Sequence, residues 1–175
     1  SDHFLIGLSK AVESEQEDRQ LDMLMQVVPN FERVGDYATN LVELSQRLSA
    51  DGGSFSDMAK QELKIICDAV NEILSMTVDA FSRDDKQLVR KIEPFEEVID
   101  DMVMILRDRH TKRLKASACS VNSGLVFMET LTYLERASDQ CSSIAVMMMS
   151  RDNETILQNH YEYLRELHAG NDQEY

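Results

Sequence analysis

Tryptophan is absent from the 175 residues, and glycine, with six, and proline, with two, are scarce. A chain this poor in turn residues has little room for the many short connections of a β-sandwich or barrel. Sustained alternation of period two is missing as well, so strands have no foothold. The three cysteines, Cys67, Cys119 and Cys141, show no CxxC or Cys/His spacing. They read as reduced, small apolar residues of a cytosolic protein. The longest strongly apolar stretch, Ile144 to Met149, is far too short to span a bilayer, and no signal peptide is visible. Positive charge is in deficit: 18 Lys and Arg stand against 32 Asp and Glu, a formal net charge of −14. That field repels a phosphate backbone, which argues against nucleic acid as a ligand, and it disfavours an anionic membrane surface. Cationic partners, metal ions included, are favoured in a non-specific way. Glycine-rich phosphate loops, nucleophile elbows and Cys–His pairs are also missing, so enzyme classes built on them lack support.

What remains is an ordinary globular composition, 43% hydrophobic and 29% charged, filled by long segments of helical period. The spacing predicts an all-α chain. A first helix covers residues 2–17, with Phe4, Leu5, Leu8 and Val12 on one face, and the charged run "ESEQEDRQ" follows as a loop or solvated helix end. A second covers 21–48, with Leu24, Val27, Val28, Phe31, Val34, Ala38, Leu41, Val42 and Leu48 inward and Pro29 as a kink or short break. The pair Gly52–Gly53 ends it, and Ser56 caps a third helix over 57–83, whose stripe runs from Leu63 to Phe81 and includes Val78. Asp84 or Asp85 caps a fourth helix, 86–113, which Pro94 interrupts; a fifth covers 116–149, with Phe127, Leu131, Leu134, Cys141, Ala145 and Met148 inward. A tail over 153–168 reads as a short docking helix with Ile156, Leu157, Tyr161 and Leu164, and the last seven residues as frayed. Short turns between long helices give antiparallel neighbours, with the third, fourth and fifth helices forming a three-helix bundle.

The chain also repeats itself. A shift of 103 residues lays "MQVVPNFERVGDYATNL" on "METLTYLERASDQCSSI", matching Glu32, Arg33 and Asp36 to Glu135, Arg136 and Asp139. Upstream of the second copy, Glu96 and Asp100 show the same spacing in "EEVIDDMVMIL", and Asp2 before "HFLIGL" reads as the remnant of an equivalent pair. A Glu and an Asp four apart share one helix face, about 5–6 Å apart at Cβ. Two pairs on neighbouring helices offer four carboxylates to one volume, which suits a hard or borderline cation. Alternatively, both pairs are solvated faces of an acidic protein.

At these residues the sequence resembles the PhoU family, whose members carry Glu-x-x-x-Asp motifs of the form "ERIGD". "ERVGD" is close to that form, and "ERASD" has Ser138 where glycine is common. The resemblance implies two three-helix repeats of PhoU type, the first lacking its opening helix: 1–52 as the rest of the first repeat, 53–151 as the second, and 152–175 as a C-terminal helix and tail. It implies a divalent or iron-type metal cluster held by Glu32, Asp36 and Asn40 in the first repeat and by Glu96, Asp100, Glu135 and Asp139 in the second, where Ser143 replaces the polar residue of Asn40. It further implies a regulator of phosphate transport, not an enzyme, acting by protein contact at the inner face of the membrane. The start at "SDHFLIGL" and the tail fit the cytosolic part of a sodium-dependent phosphate cotransporter. A free-standing phosphate-signalling regulator is the alternative. The implied partners are a membrane phosphate transporter, in cis or in trans, a sensor kinase, and a second copy of the chain in a homodimer.

Gly35 is expected to admit close approach of another helix. A ferritin-like metal bundle needs Glu-x-x-His motifs, and none of His3, His110, His160 and His168 follows a glutamate at that spacing. His110 and His160 are the available acceptors for a phosphotransfer bundle, and each reads more simply as a charge complementing a helix C-terminus.

Overall fold

The computed structural model describes residues 15–117 and 119–150, and among these it contains helices and turns but no strand. The first predicted helix falls largely outside the described residues, as does the tail helix. Five helices follow in order: α1 (Glu15–Ala50), α2 (Asp57–Arg83), α3 (Lys86–Val89), α4 (Ile92–Lys115) and α5 (Val121–Ser150). No helix among the described residues is long and apolar enough to cross a membrane.

The connections are built from local chemistry. Gly52 takes φ +65°, and the Gly52 and Gly53 amides donate to the Ser49 and Leu48 carbonyls at 3.0 and 2.9 Å. This is the Schellman closure, in which a left-handed residue turns the orphan carbonyls of the last turn inward to amide donors. Ser56 then caps α2, accepting from the Ala59 amide at 3.3 Å. The end of α2 repeats the device without glycine. Asp84 adopts φ 51°, and the Asp84 and Asp85 amides donate to the Phe81 and Ala80 carbonyls. Asp85 in turn caps α3 by accepting from the amides of Gln87 and Leu88 at 3.0 and 3.1 Å.

Several boundaries differ from the sequence reading, among them the start of α5, which lies at Val121 rather than at 116. The acidic run before Leu21 is helical from Glu15, so α1 is longer than its apolar stripe. Pro29 lies inside α1 without a break. The carbonyl that loses its amide partner belongs to Met25, and both residues face solvent, where water serves in its place. The fourth helix is two, α3 and α4, separated at Arg90 and Lys91. Pro94 sits in the first turn of α4, where the amide it lacks has no acceptor in any case, so the chain breaks ahead of the proline.

The helices pack antiparallel in sequence. Glu62 of α2 meets Arg113 near the end of α4, and Ser142 of α5 meets Glu93 near the start of α4. Along α1 and α5 the contacts run from Arg33–Gln140 through the stacked rings of Tyr37 and Tyr133 to Arg47–Glu129. The main core joins Met23 and Val27 of α1 to Ile66 and Ile73 of α2, Ile99 and Val103 of α4, and Phe127, Leu131 and Ile144 of α5. Each such side chain, fully withdrawn from water, stabilises the fold by about 1.5–3 kcal/mol. The inward faces of α4 and α5 match the helical period. On α1, Ala38 is exposed and Val42 is 56% exposed, while Leu21, Met23, Asn30 and Leu44 are buried instead. The reason is that α1 meets the other described helices chiefly along α5, so only the part of its stripe turned toward α5 is covered. Val78 of α2 is likewise on the surface.

Two single residues depart from expectation. A Cβ on Gly35 would meet nothing within 4 Å, so among the described residues this glycine serves no close helix approach. His110 is not a solvated partner of the α4 C-terminus. It is buried, and its ring stacks on Phe127 with centroids 4.4 Å apart. Its Nδ1 lies 3.3 Å from the Arg113 guanidinium, which grips both oxygens of Glu62 at 3.0 and 2.6 Å.

Candidate metal centre

The site is assembled where the first half of α4 lies against the second half of α5. On α4, Glu93, Glu96 and Asp100 are spaced three and four residues apart and so share one helix face. Asp139 projects from α5 toward them. Oxygen atoms of Glu96, Asp100 and Asp139 all lie within 4.8 Å of one another. Glu93 and Glu96 are buried, and Asp100 and Asp139 half-buried. Burial of so many carboxylates is costly unless charge is removed by protons or supplied by a cation.

The electrostatics show that cost. The Glu96 carboxyl is pushed up to about 9, first by burial and then by the negative neighbours Asp100, Glu93 and Asp139. Asp100 is raised to about 6 by burial, Asp139 and Glu135. Asp139 is also raised, chiefly by burial, although its hydrogen bond with Glu96 works the other way. Two carboxyl groups this close are stable together only where a proton or a cation stands between them. One oxygen of Asp100, Oδ1, is buried with no hydrogen-bond partner. An orphan acceptor facing two further carboxylates is the donor set of an oxygen-preferring cation, and the residues present fit such an ion.

Not every predicted ligand enters this cluster. Glu135 sits a turn away, but both its oxygens are held by Arg107 at 3.1 and 2.6 Å, and Arg107 also donates to Thr132 at 3.1 Å. Ser143 donates to the Asp139 carbonyl at 2.9 Å, within its own helix. Glu32 and Asp36 of the first repeat are exposed on α1, and Asn40 is half-buried. Among the described residues no second helix brings carboxylates to them. Asp2, their expected counterpart, lies outside the described residues.

Three contributors were not anticipated from the sequence. Glu93 is buried beside the cluster and accepts a short hydrogen bond from Ser142. Its spacing of three from Glu96 was a visible signal. Arg107 and Thr132 carried none, because their role depends on which residues of α5 stand opposite α4.

Sequence comparison places this chain beside known proteins. The family model of the PhoU domain matches residues 63–148. This segment is a PhoU domain. Its three long helices, α2, α4 and α5, are the bundle that carries the acidic cluster, and α1 lies against α5 from outside the matched segment. Similar proteins include the phosphate-specific transport system accessory protein PhoU homolog 1 of Thermotoga maritima, 25% identical over 154 residues, which are 88% of this chain and 64% of that protein. They also include the phosphate-specific transport system accessory protein PhoU homolog of Borreliella burgdorferi, 22% identical over 132 residues, 74% of this chain and 59% of that protein. The chain thus spans less than two thirds of the length of these two relatives. No solved structure matches the chain.

Proposed function

We propose that this PhoU-domain chain regulates phosphate transport by protein contact and catalyses no reaction. The observation that supports this reading is the match of residues 63–148 to the PhoU domain, together with the names of the two relatives, both accessory proteins of phosphate-specific transport systems. Its partner in this reading is a membrane phosphate transporter, which places it at the cytoplasmic face of the membrane. In this reading the chain is a domain of a sodium-dependent phosphate cotransporter, with a free-standing regulator that also contacts a sensor kinase as the alternative. The test is phosphate uptake in cells lacking their own PhoU homologue, with and without this chain. Restored restraint of uptake supports the reading, and uptake indifferent to the chain removes it.

The second part of the proposal concerns the acidic cluster. Glu96, Asp100 and Asp139 hold a divalent or iron-type cation, which would offset their mutual repulsion and tie α4 to α5. The buried, unpartnered Oδ1 of Asp100 is the observation that supports it. Elemental analysis before and after chelation tests it, beside Asp100→Asn and Asp139→Ala. Stoichiometric metal in the wild type, lost in both variants, is the expected result. Protein purified and dialysed against manganese or iron that retains no metal would sink this part and leave the transport reading standing.

A further inference from the structure

Five of the chain's 18 Lys and Arg stand in the nine residues from Arg107 to Lys115, in a protein whose net charge is −14. Arg107 is held by Glu135, on the α5 side of α4. Arg109, Lys112 and Arg113 line a cleft of about 500 Å³ between the end of α4 and the start of α2. Met58 and Ile65 of α2 line the same cleft and are 61% and 59% exposed. Seven residues apart, they lie within about 20° of one line along their helix and form an apolar strip, with Gln61 between them.

The charges of the cleft are unequally engaged. Glu62, its acidic residue, is buried, and both its oxygens accept from Arg113 at 3.0 and 2.6 Å. Arg109 approaches Glu62 only at 3.7 Å and keeps most of its side chain in water. Lys112 pairs with Asp108 of its own helix, and both side chains are largely in water. Exposed pairs of this kind exchange readily. Two cations at the rim are thus available to an incoming carboxylate. The N-terminal end of α2 adds positive potential at the same place.

We infer that this cleft receives an amphipathic helical segment of a protein partner, apolar toward Met58 and Ile65 and acidic toward Arg109 and Lys112. The inference rests on the reading that the chain acts by protein contact, and it names the chemistry that the partner presents. A groove between two helices accepts a third that offers apolar anchors at i, i+3 or i+4, and i+7. Met58 and Ile65 are about 10.5 Å apart along the α2 axis, the separation of two such anchors seven residues apart. Charge selects the occupant. A basic segment is repelled by the rim and drawn instead to the acidic remainder of the protein. An anionic membrane meets the rim but is repelled by its surroundings, since α4 carries five acidic residues and no basic one from Glu93 to Asp101. A short acidic segment covers the basic end alone.

Fluorescence anisotropy of a labelled helical peptide tests the proposal. The peptide carries leucines at i, i+3 and i+7, glutamates beside them and alanines elsewhere; a control of the same composition scatters the leucines around the helix. The net charge of the protein repels an acidic peptide everywhere else, so affinity for it reports a local site. The expected result is saturable binding of the amphipathic peptide that falls as salt is raised, with no binding of the control. Arg109→Glu/Lys112→Glu weakens it by about tenfold or more, and so does Ile65→Ser, with circular dichroism confirming that both variants are folded. No binding up to about 1 mM peptide overturns the inference, whether the cleft then proves to hold a phosphatidylserine vesicle or a second copy of the chain. Binding indifferent to both variants, or equal for the control peptide, overturns it as well. Restraint of phosphate uptake is measured in cells without the peptide, so failure here leaves the transport reading standing, and failure there leaves the peptide result intact.

Discussion

Arg107 closes the Glu135 carboxylate in a two-pronged grip, with oxygen contacts of 3.1 and 2.6 Å. The glutamate of the second Glu-x-x-x-Asp motif is thereby neutralised within the protein, while the aspartate of the same motif, Asp139, faces the cluster on α4. Arg107→Gln releases Glu135 one turn from Asp139 and offers the cluster a fourth carboxylate. Manganese binding, followed by calorimetric titration, is expected to tighten. The accompanying loss of fold stability is at most about 1 kcal/mol, because both side chains are a quarter to a third exposed. Unchanged affinity would show that Glu135 stays outside the coordination even when released.

Cation binding to the cluster predicts a pH-dependent gain in thermal stability. Glu96 is raised to about 9 and Asp100 to about 6, so the folded state keeps protons that the unfolded chain has already released. The sign follows: without cation, the native state loses stability as pH rises from the ordinary carboxylate range through these values. A cation is most useful where the protons have gone. Chelated protein titrated with manganese should therefore gain more in Tm near about pH 8 than near about pH 5, where protons compete for the same oxygens. Equal gains at both would mean that the ion binds elsewhere.

His110 gives stability a dependence of the opposite sense. Arginine only donates, so Nδ1 of His110 accepts from Arg113 and the ring proton rests on Nε2. Burial, and then the Arg113 charge, lower the pKa of the ring against the pull of Glu62, with Arg109 also held near Glu62. The folded state thus resists a proton that the unfolded chain accepts at about 6.5. Stability from this group is complete above that value and falls as pH drops below it toward the lowered folded pKa. Urea unfolding midpoints between about pH 5 and about pH 8 should fall more steeply on the acid side for wild type than for His110→Phe, which keeps the ring stack but cannot be protonated. Parallel profiles would remove His110 as the cause.

Gly35 offers a test of what surrounds α1. It lies mid-helix, exposed, with nothing near the position of a Cβ. Gly35→Ala should stabilise the chain by about 0.5–1 kcal/mol through helix propensity alone, read as a higher urea midpoint. A loss of stability would mean that residues outside the described ones pack closely on this face.

The helical period by itself determined the span of α2 and the end of α5, the inward residues of α4 and α5, and the cap at Ser56, and it narrowed the next cap to Asp84 or Asp85. All of these are decided within a few residues along the chain. The acidic spacing also pointed to Glu96, Asp100 and Asp139, since residues four apart on a helix share a face in any tertiary setting. Tertiary structure decided the rest. The register of α4 against α5 brought Arg107 opposite Glu135, 28 residues away, and so separated two carboxylates that look equivalent in sequence. The same register buried Glu93, and it buried His110, which local pattern left at a helix end. Among the described residues the limited cover over α1 leaves Val42 exposed although its period is that of a core residue. Periodicity specifies which face of a helix is apolar; only the neighbouring helices specify how much of that face leaves water.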